Sequence, residues 1–347
     1  MVVEERDALM SSLSVTIPPG AGGVAAGAPP PLLAVRDLWV DVASRRGRGA
    51  ILRGVDLEVR PGELVGVVGE TGSGKSTTAL AIMRLLADSM RISRGSIDFG
   101  GVNLATAREA AMQRLRGDRL AMIFQDPRSH LNPVFPVGEQ LIDVVRAHHG
   151  GRGSKEEAIR LLEQVNMPNA RARLDSYPHQ LSGGMAQRVM IAMALAGAPD
   201  LLIADEPTSA LDVTVQAQIL ALLRRLATEH RLAVLLISHN VAAVAQVCDR
   251  VVVMYAGSVV ESAPISQLLD DPGHPYTQGL LAAVPRVGAH ARDMRGIPGR
   301  VANIFELPYG CCPFASRCPA VMPRCTAEAP PAFTLGPEHS AACFLHD

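Results

Sequence analysis

The chain has 347 residues, enough for one large domain with an appendage or for two domains. Hydrophobic residues make up 48% and charged residues 19%, which supplies a sizeable core and excludes global disorder. A formal net charge of −1 and only 3% aromatics leave neither the basic footprint nor the base-stacking surface of a nucleic-acid binder.

Residues 1–31 read as a disordered arm. They open on Glu4, Glu5, Arg6 and Asp7 and run on in Gly, Ala and Pro, without the basic start and compact apolar centre of a signal peptide. No apolar run approaches the ~18 residues of a membrane helix; the longest, 189–198, is short and rich in Ala. A cytoplasmic chain is expected. Residues 33–42 and 55–59 alternate like strands, with Arg45, Arg46, Gly47, Arg48 and Gly49 as a solvated loop between them. The apolar run 64–68 predicts a buried strand, followed by a glycine loop and a helix over 75–86. A strand is predicted at 120–124, then helices at 137–147, 155–165 and 182–196. Next come a strand at 201–204, a helix at 213–229, a strand at 233–237, a helix at 241–247, and a strand pair at 251–254 and 258–261. Strands alternating with helices predict an α/β sheet covered on both faces, with the helical middle, about 126–195, inserted into it. After Pro272 the chain turns Pro-rich and from Pro308 Cys-rich, which predicts a small C-terminal appendage. Five of the six cysteines fall between Cys311 and Cys343; in a reducing compartment that clustering favours metal binding over disulfides.

Gly69-Glu70-Thr71-Gly72-Ser73-Gly74-Lys75-Ser76 fits G-x-x-x-x-G-K-[ST] between a predicted strand and helix, with Thr77 next along the helix. Glycines let backbone N–H groups curl around phosphates, and a helix N-terminus adds positive potential. Lys75 is placed to reach β/γ-phosphates and the Ser76 hydroxyl to ligate Mg²⁺. An ordinary glycine turn is the bland alternative, which the strand–loop–helix context disfavours. Asp205 and Glu206 end an apolar strand; alone they would be a solvated turn, but after a phosphate loop they fit an Asp on Mg²⁺ and a Glu that polarises water. Ser182-Gly183-Gly184 opens a helix. It is an N-cap and a second anion-ready helix start, serving either a separate ligand or another subunit's nucleotide.

In the order residues 69–76, Gln125, 181–184, Asp205 and Glu206, Leu211 and Asp212, His239, the chain resembles the nucleotide-binding subunits of ATP-binding cassette transporters over about residues 33–265. The resemblance implies a P-loop α/β ATPase domain over 32–265, with a helical subdomain at about 126–195, and a cysteine-rich extension over 266–347. It implies a head-to-tail dimer that holds ATP between one subunit's phosphate loop and the other's residues 182–184. It assigns Gln125 to the Mg²⁺ and water site and to coupling with the membrane partner, His239 to the γ-phosphate and Asp212 to the dimer interface. Gln125-Asp126-Pro127, Leu131-Asn132-Pro133, Tyr177-Pro178-His179-Gln180 and His274-Pro275-Tyr276-Thr277 resemble the oligopeptide/dipeptide importer branch. That branch implies two transmembrane permease subunits, a paralogous second ATPase, an extracellular substrate-binding protein, and a peripheral place on the cytoplasmic face of the membrane. The same motor serving nickel or another small solute, and a soluble non-transport ATPase, are the alternatives.

The spacing Cys312-x5-Cys318-x6-Cys325-x17-Cys343 also resembles that branch. Four thiolates match a [4Fe–4S] cluster, and tetrahedral zinc is the rival. With few large apolar residues in the tail, metal ligation is expected to supply much of its folding energy. Three departures from the family pattern stand out. Val42 occupies the place of an aromatic ring that stacks on adenine, with Trp39 on the opposite strand face; Ala186 replaces an Arg, and Asn240 an Asp.

Overall fold

The structure, a computed structural model, describes residues 30–44, 47–284, 296–301, 305 and 307–347. The expected arm lies outside the described residues up to residue 29, as do Arg45 and Arg46. The described residues divide into two compact units, one drawn from within 1–60, 65–105 and 238–347, the other from 61–64 and 106–237.

In the first unit, strands Leu33–Ser44, Gly47–Val59, Met90–Phe99 and Val102–Asn103 form an antiparallel sheet. The first hairpin closes at Ser44 and Gly47, so Gly47, Arg48 and Gly49 are strand residues, not the loop their composition suggested. Alternation in Leu33–Ser44 breaks at Asp37, where φ is 45°, and the register shifts between Arg36 and Trp39. Beyond that break Leu38, Val40 and Val42 are buried. The Trp39 ring instead stacks on Tyr309, centroids 6.4 Å apart, while its Nε1 donates to Asp37 Oδ1 at 2.8 Å.

Leu64–Val68 runs parallel to Arg250–Tyr255, which folds back into the antiparallel strand Ser258–Pro264. His339–Ala341 pairs onto Ser258–Pro264, and Phe333–Gly336 pairs onto His339–Ala341. The C-terminal residues thus extend a sheet. They also contribute to a core: Tyr255, Tyr276 and Phe314 are fully buried, with ring centroids 4.7, 5.1 and 5.4 Å apart. Aromatic rings bury about 150–250 Å² each. Apolar packing therefore does part of the work that the sequence assigned to metal, because three rings from distant segments converge.

In the second unit, Leu120–Ile123, Leu201–Asp205 and Ala233–Ser238 form a parallel array in which every residue is buried. Near-continuous apolar runs are the sequence form of parallel strands covered on both faces. The helices Val137–His148, Lys155–Gln164 and Gly183–Leu195 occupy the predicted helical middle. Their starts are chemically marked: Ser154 Oγ accepts from the Glu157 N–H at 3.1 Å and Ser182 Oγ from the Met185 N–H at 3.3 Å. Such caps contribute about 1 kcal/mol each. No helix among the described residues is long and apolar enough to cross a membrane.

Candidate functional site

The buried strand Leu64–Val68 delivers Gly69, and helix Lys75–Met83 begins six residues later. Gly74 caps that helix at φ 101°, where an added Cβ would lie 2.7 Å from Leu52 Cδ2. Only glycine has the backbone freedom and the bulk for this position. Inside the turn Lys75 is buried. Its Nζ donates to Gly69 O at 2.7 Å, Glu70 O at 3.0 Å and Ser73 Oγ at 3.3 Å. The Ser73 N–H also donates to Glu70 O, at 3.1 Å. Thr71, Gly72 and Ser76 are exposed around this buried ammonium, with Thr77 half-buried beside them. A lysine pinned inside a loop at a helix N-terminus is a receptor for phosphate groups.

Glu70 is held from the C-terminal residues of the same unit. Its N–H donates to Tyr276 OH at 2.8 Å, and its carboxylate accepts two hydrogen bonds from Arg317, at 2.6 and 3.1 Å. Neither partner is marked in the sequence as a neighbour of Glu70. Tyr276 lay in a motif noticed only for its resemblance, and Arg317 carried no signal at all.

The second unit gathers the acidic groups. Asp205 is buried at the end of its strand. Glu206 follows at φ 46°, a left-handed conformation unusual for a glutamate, with its N–H donating to Ile237 O at 2.9 Å. Its Oε2 accepts from Gln125 Nε2 at 3.0 Å, so two residues 81 positions apart meet as one group. Gly183 and Gly184 lie against the segment that carries Asp212. A Cβ on Gly184 would sit 2.4 Å from Val215 Cγ1, and one on Gly183 3.1 Å from Leu211 Cδ2. Asp212 Oδ1 caps helix Val213–His230, accepting from the Val215 N–H at 3.0 Å, beside an exposed Val213. In the first unit, His239 is exposed in the bend after strand Ala233–Ser238. Asn240, the departure from the family's Asp, caps the next helix by accepting from the Ala243 N–H at 3.2 Å.

The Ser76 hydroxyl, the Gln125 amide and the Asp205 carboxylate are all oxygen donors, the chemistry that suits a hard cation such as Mg²⁺. The cysteines give a different result. Cys312, Cys318, Cys325 and Cys343 share one neighbourhood in which their charges are mutually felt. Yet among the described residues no group of three or more His, Cys, Asp or Glu side chains is placed to hold a metal ion. The expected four-thiolate ligand set is not formed. Burial pushes the Cys312 thiol up to about 11, against a backbone hydrogen bond from Phe314, and burial also raises Cys318 and Cys343.

Residues 52–209 match the family profile described as ABC transporter, and residues 260–325 the one described as the C-terminal region of oligopeptide/dipeptide transporters. The chain is 48% identical over 315 residues to the oligopeptide transport ATP-binding protein OppD of Salmonella typhimurium, covering 90% of this chain and 93% of that protein. It is 46% identical over 327 residues to a putative peptide import ATP-binding protein of Brucella melitensis, covering 90% and 96%. Among solved structures, it matches a dimeric post-hydrolysis state of the ATP-binding cassette MJ0796 bound to ADP and Pi. There the TM-score is 0.59 at 25% identity, covering 67% of this chain and 98% of that one.

Proposed function

This chain belongs to the ATP-binding proteins of ABC transporters, and we propose that it is the ATP-hydrolysing subunit of an importer of short peptides. The observation that carries the cargo class is the match of residues 260–325 to the oligopeptide/dipeptide C-terminal region, which lies outside the ATPase core. The proposal divides the chain into an arm over 1–31, the nucleotide-binding domain over 32–265 and the extension over 266–347.

On this reading residues 69–77 receive the ATP phosphates, with the Lys75 ammonium on the β/γ oxygens. Ser76, Gln125 and Asp205 supply oxygens to Mg²⁺, which when bound offsets the charge on the β- and γ-phosphoryl oxygens. Glu206 orients the attacking water and accepts its proton, and the hydrogen bond from Gln125 at 3.0 Å fixes where that carboxylate points. His239 contacts the γ-phosphate. Residues 182–184 of a second ATPase subunit complete the site, with Asp212 at the interface. Positioning and electrostatics supply most of the catalysis in such reactions.

The expected partners are two permease subunits, a paralogous ATPase and an extracellular binding protein, with the chain on the cytoplasmic face of the membrane. What supports a membrane-subunit contact is an exposed apolar pair, Val134 and Phe135, just beyond Gln125. Gln140 holds the backbone there, donating to Asn132 O at 2.9 Å and to Phe135 O at 2.8 Å. A [4Fe–4S] cluster on Cys312, Cys318, Cys325 and Cys343, or zinc in its place, belongs to the same proposal as a separable part. What favours it is that the four thiols lie close enough for their charges to be mutually felt; because as placed they form no ligand group, the proposal requires their side chains to turn toward one point when metal binds. Stoichiometric iron with sulfide in anaerobically purified protein supports it; protein free of iron and zinc defeats it.

The test of function is uptake. Vesicles carrying the assembled transporter and its binding protein should accumulate short peptides only when ATP is supplied on the side of this subunit. Transport of nickel but not peptides would refute the cargo class.

A further inference from the structure

We propose that Arg317 and Tyr276 are positioning residues for the phosphate loop, and that they act through Glu70. The proposal rests on the reading of residues 69–77 as the ATP phosphate loop.

A carboxylate in that loop is an electrostatic anomaly, because the loop's task is to bind a polyanion. Arg317 offsets it. The arginine side chain is only 4% exposed, and its hydrogen bonds match its five donors. Nη1 donates to Glu70 Oε2 at 2.6 Å and Tyr255 OH at 3.3 Å. Nη2 donates to Glu70 Oε1 at 3.1 Å and Ile297 O at 3.1 Å. Nε donates to Pro298 O at 2.9 Å. The fork-on-fork contact with Glu70 is the geometry in which an arginine fixes a carboxylate most rigidly, and the other three bonds fix the arginine.

Glu70 is gripped a second time through its backbone, since its N–H donates to Tyr276 OH at 2.8 Å. Tyr276 is itself immobilised. Its ring is buried against Tyr255 and Phe314, and its own N–H donates to His274 Nδ1 at 3.0 Å. The Glu70 carbonyl in turn accepts from both Lys75 Nζ and the Ser73 N–H. One residue therefore links the C-terminal fold to the ammonium and the amide that meet phosphate. The His274-Pro275-Tyr276-Thr277 motif acquires a purpose: it presents a phenol oxygen to the loop.

Two consequences separate this from a merely structural role. Without Arg317, Glu70 bears an uncompensated negative charge beside the bound phosphates, so nucleotide affinity falls. If that charge is also removed, the loss is largely reversed. The experiment uses the full-length chain and a fluorescent mant-ATP titration with Mg²⁺. Arg317→Met is expected to raise the Kd about tenfold or more, and Glu70→Gln/Arg317→Met to bring it back to within about threefold of wild type, with a weaker salt dependence than Arg317→Met. Should Arg317→Met fail to fold, Tyr276→Phe carries the test, since it keeps the ring and deletes only the acceptor; a Kd raised at least threefold is expected. Wild-type affinity in Arg317→Met or, where that variant does not fold, in Tyr276→Phe overturns the proposal. So does a loss in Arg317→Met that persists undiminished when Glu70 is neutralised. A wild-type chain that binds no mant-ATP, or binds it equally well as Lys75→Ala, defeats the phosphate-loop reading and the proposal with it.

Discussion

Val42 fills a buried place in strand Leu33–Ser44, where the family pattern has an aromatic ring for the adenine base. The nearby Trp39 does not substitute for it, because its ring is stacked on Tyr309 and its Nε1 is bonded to Asp37. Aromatic stacking on a base contributes about 1–3 kcal/mol where it occurs in nucleic-acid sites. Without it, recognition at this subunit falls on the phosphates, which ATP and GTP share. Competition titrations should give ATP and GTP affinities within about threefold; a tenfold preference for ATP would show that another group reads the base. Legibility at the residue scale followed chemistry. Lys75 stood out at the end of a glycine loop opening a helix, and Asp205 and Glu206 at the end of an apolar strand, because few structural roles call for those residues there. The Gln125–Glu206 bond and the Glu70–Arg317 bond were invisible, since contacts across 81 and 247 positions leave no local pattern.

Elements were legible where burial is uniform or periodic. Leu64–Val68, Leu201–Asp205 and Ala233–Ser238 are buried along their whole length, and their apolar runs announced them. Met90–Phe99 was missed because its residues up to Ser96 are arginine- and serine-laced and mostly exposed, and only its end dips into the core. Helix Pro275–Ala282 was also missed. It opens on a proline and is capped by a histidine, His274, whose Nδ1 accepts the Tyr276 N–H. That bond requires neutral imidazole. Burial, with His346 adding to it, lowers the His274 pKa from 6.5 to about 4. A histidine depressed in the folded state contributes stability that is complete above its unfolded pKa and is lost as pH falls through the folded one. Stability should therefore decline between pH 6.5 and pH 4, by up to roughly 3 kcal/mol for this group. Denaturant unfolding across that window should show a shallower decline in His274→Asn, which retains a capping oxygen but does not titrate. Equal pH profiles would remove His274 as the cause.

For the whole molecule, the α/β class and the helical middle could be read from the alternation of strands and helices, and the ATPase family from the order of its motifs. The role of the C-terminal residues could not. Their sequence suggests a small appendage folded by metal, whereas their strands extend a sheet, their rings complete a core with Tyr255, and Arg317 reaches the phosphate loop. Nothing short of the tertiary fold brings Phe314 against Tyr255 and Tyr276.

On the proposed reading a second subunit supplies residues 182–184, and turnover would then be a property of the assembly rather than of the isolated chain. If Glu206 drives ATP hydrolysis there, phosphate release by the assembled transporter should separate Glu206→Gln sharply from wild type. The substitution preserves size and hydrogen bonding while removing the base. Mg²⁺-ATP binding should be retained while the hydrolysis rate falls at least about 100-fold, the lower end of the range for a general base. Hydrolysis at the wild-type rate would contradict the assignment of Glu206 and the catalytic account built on it.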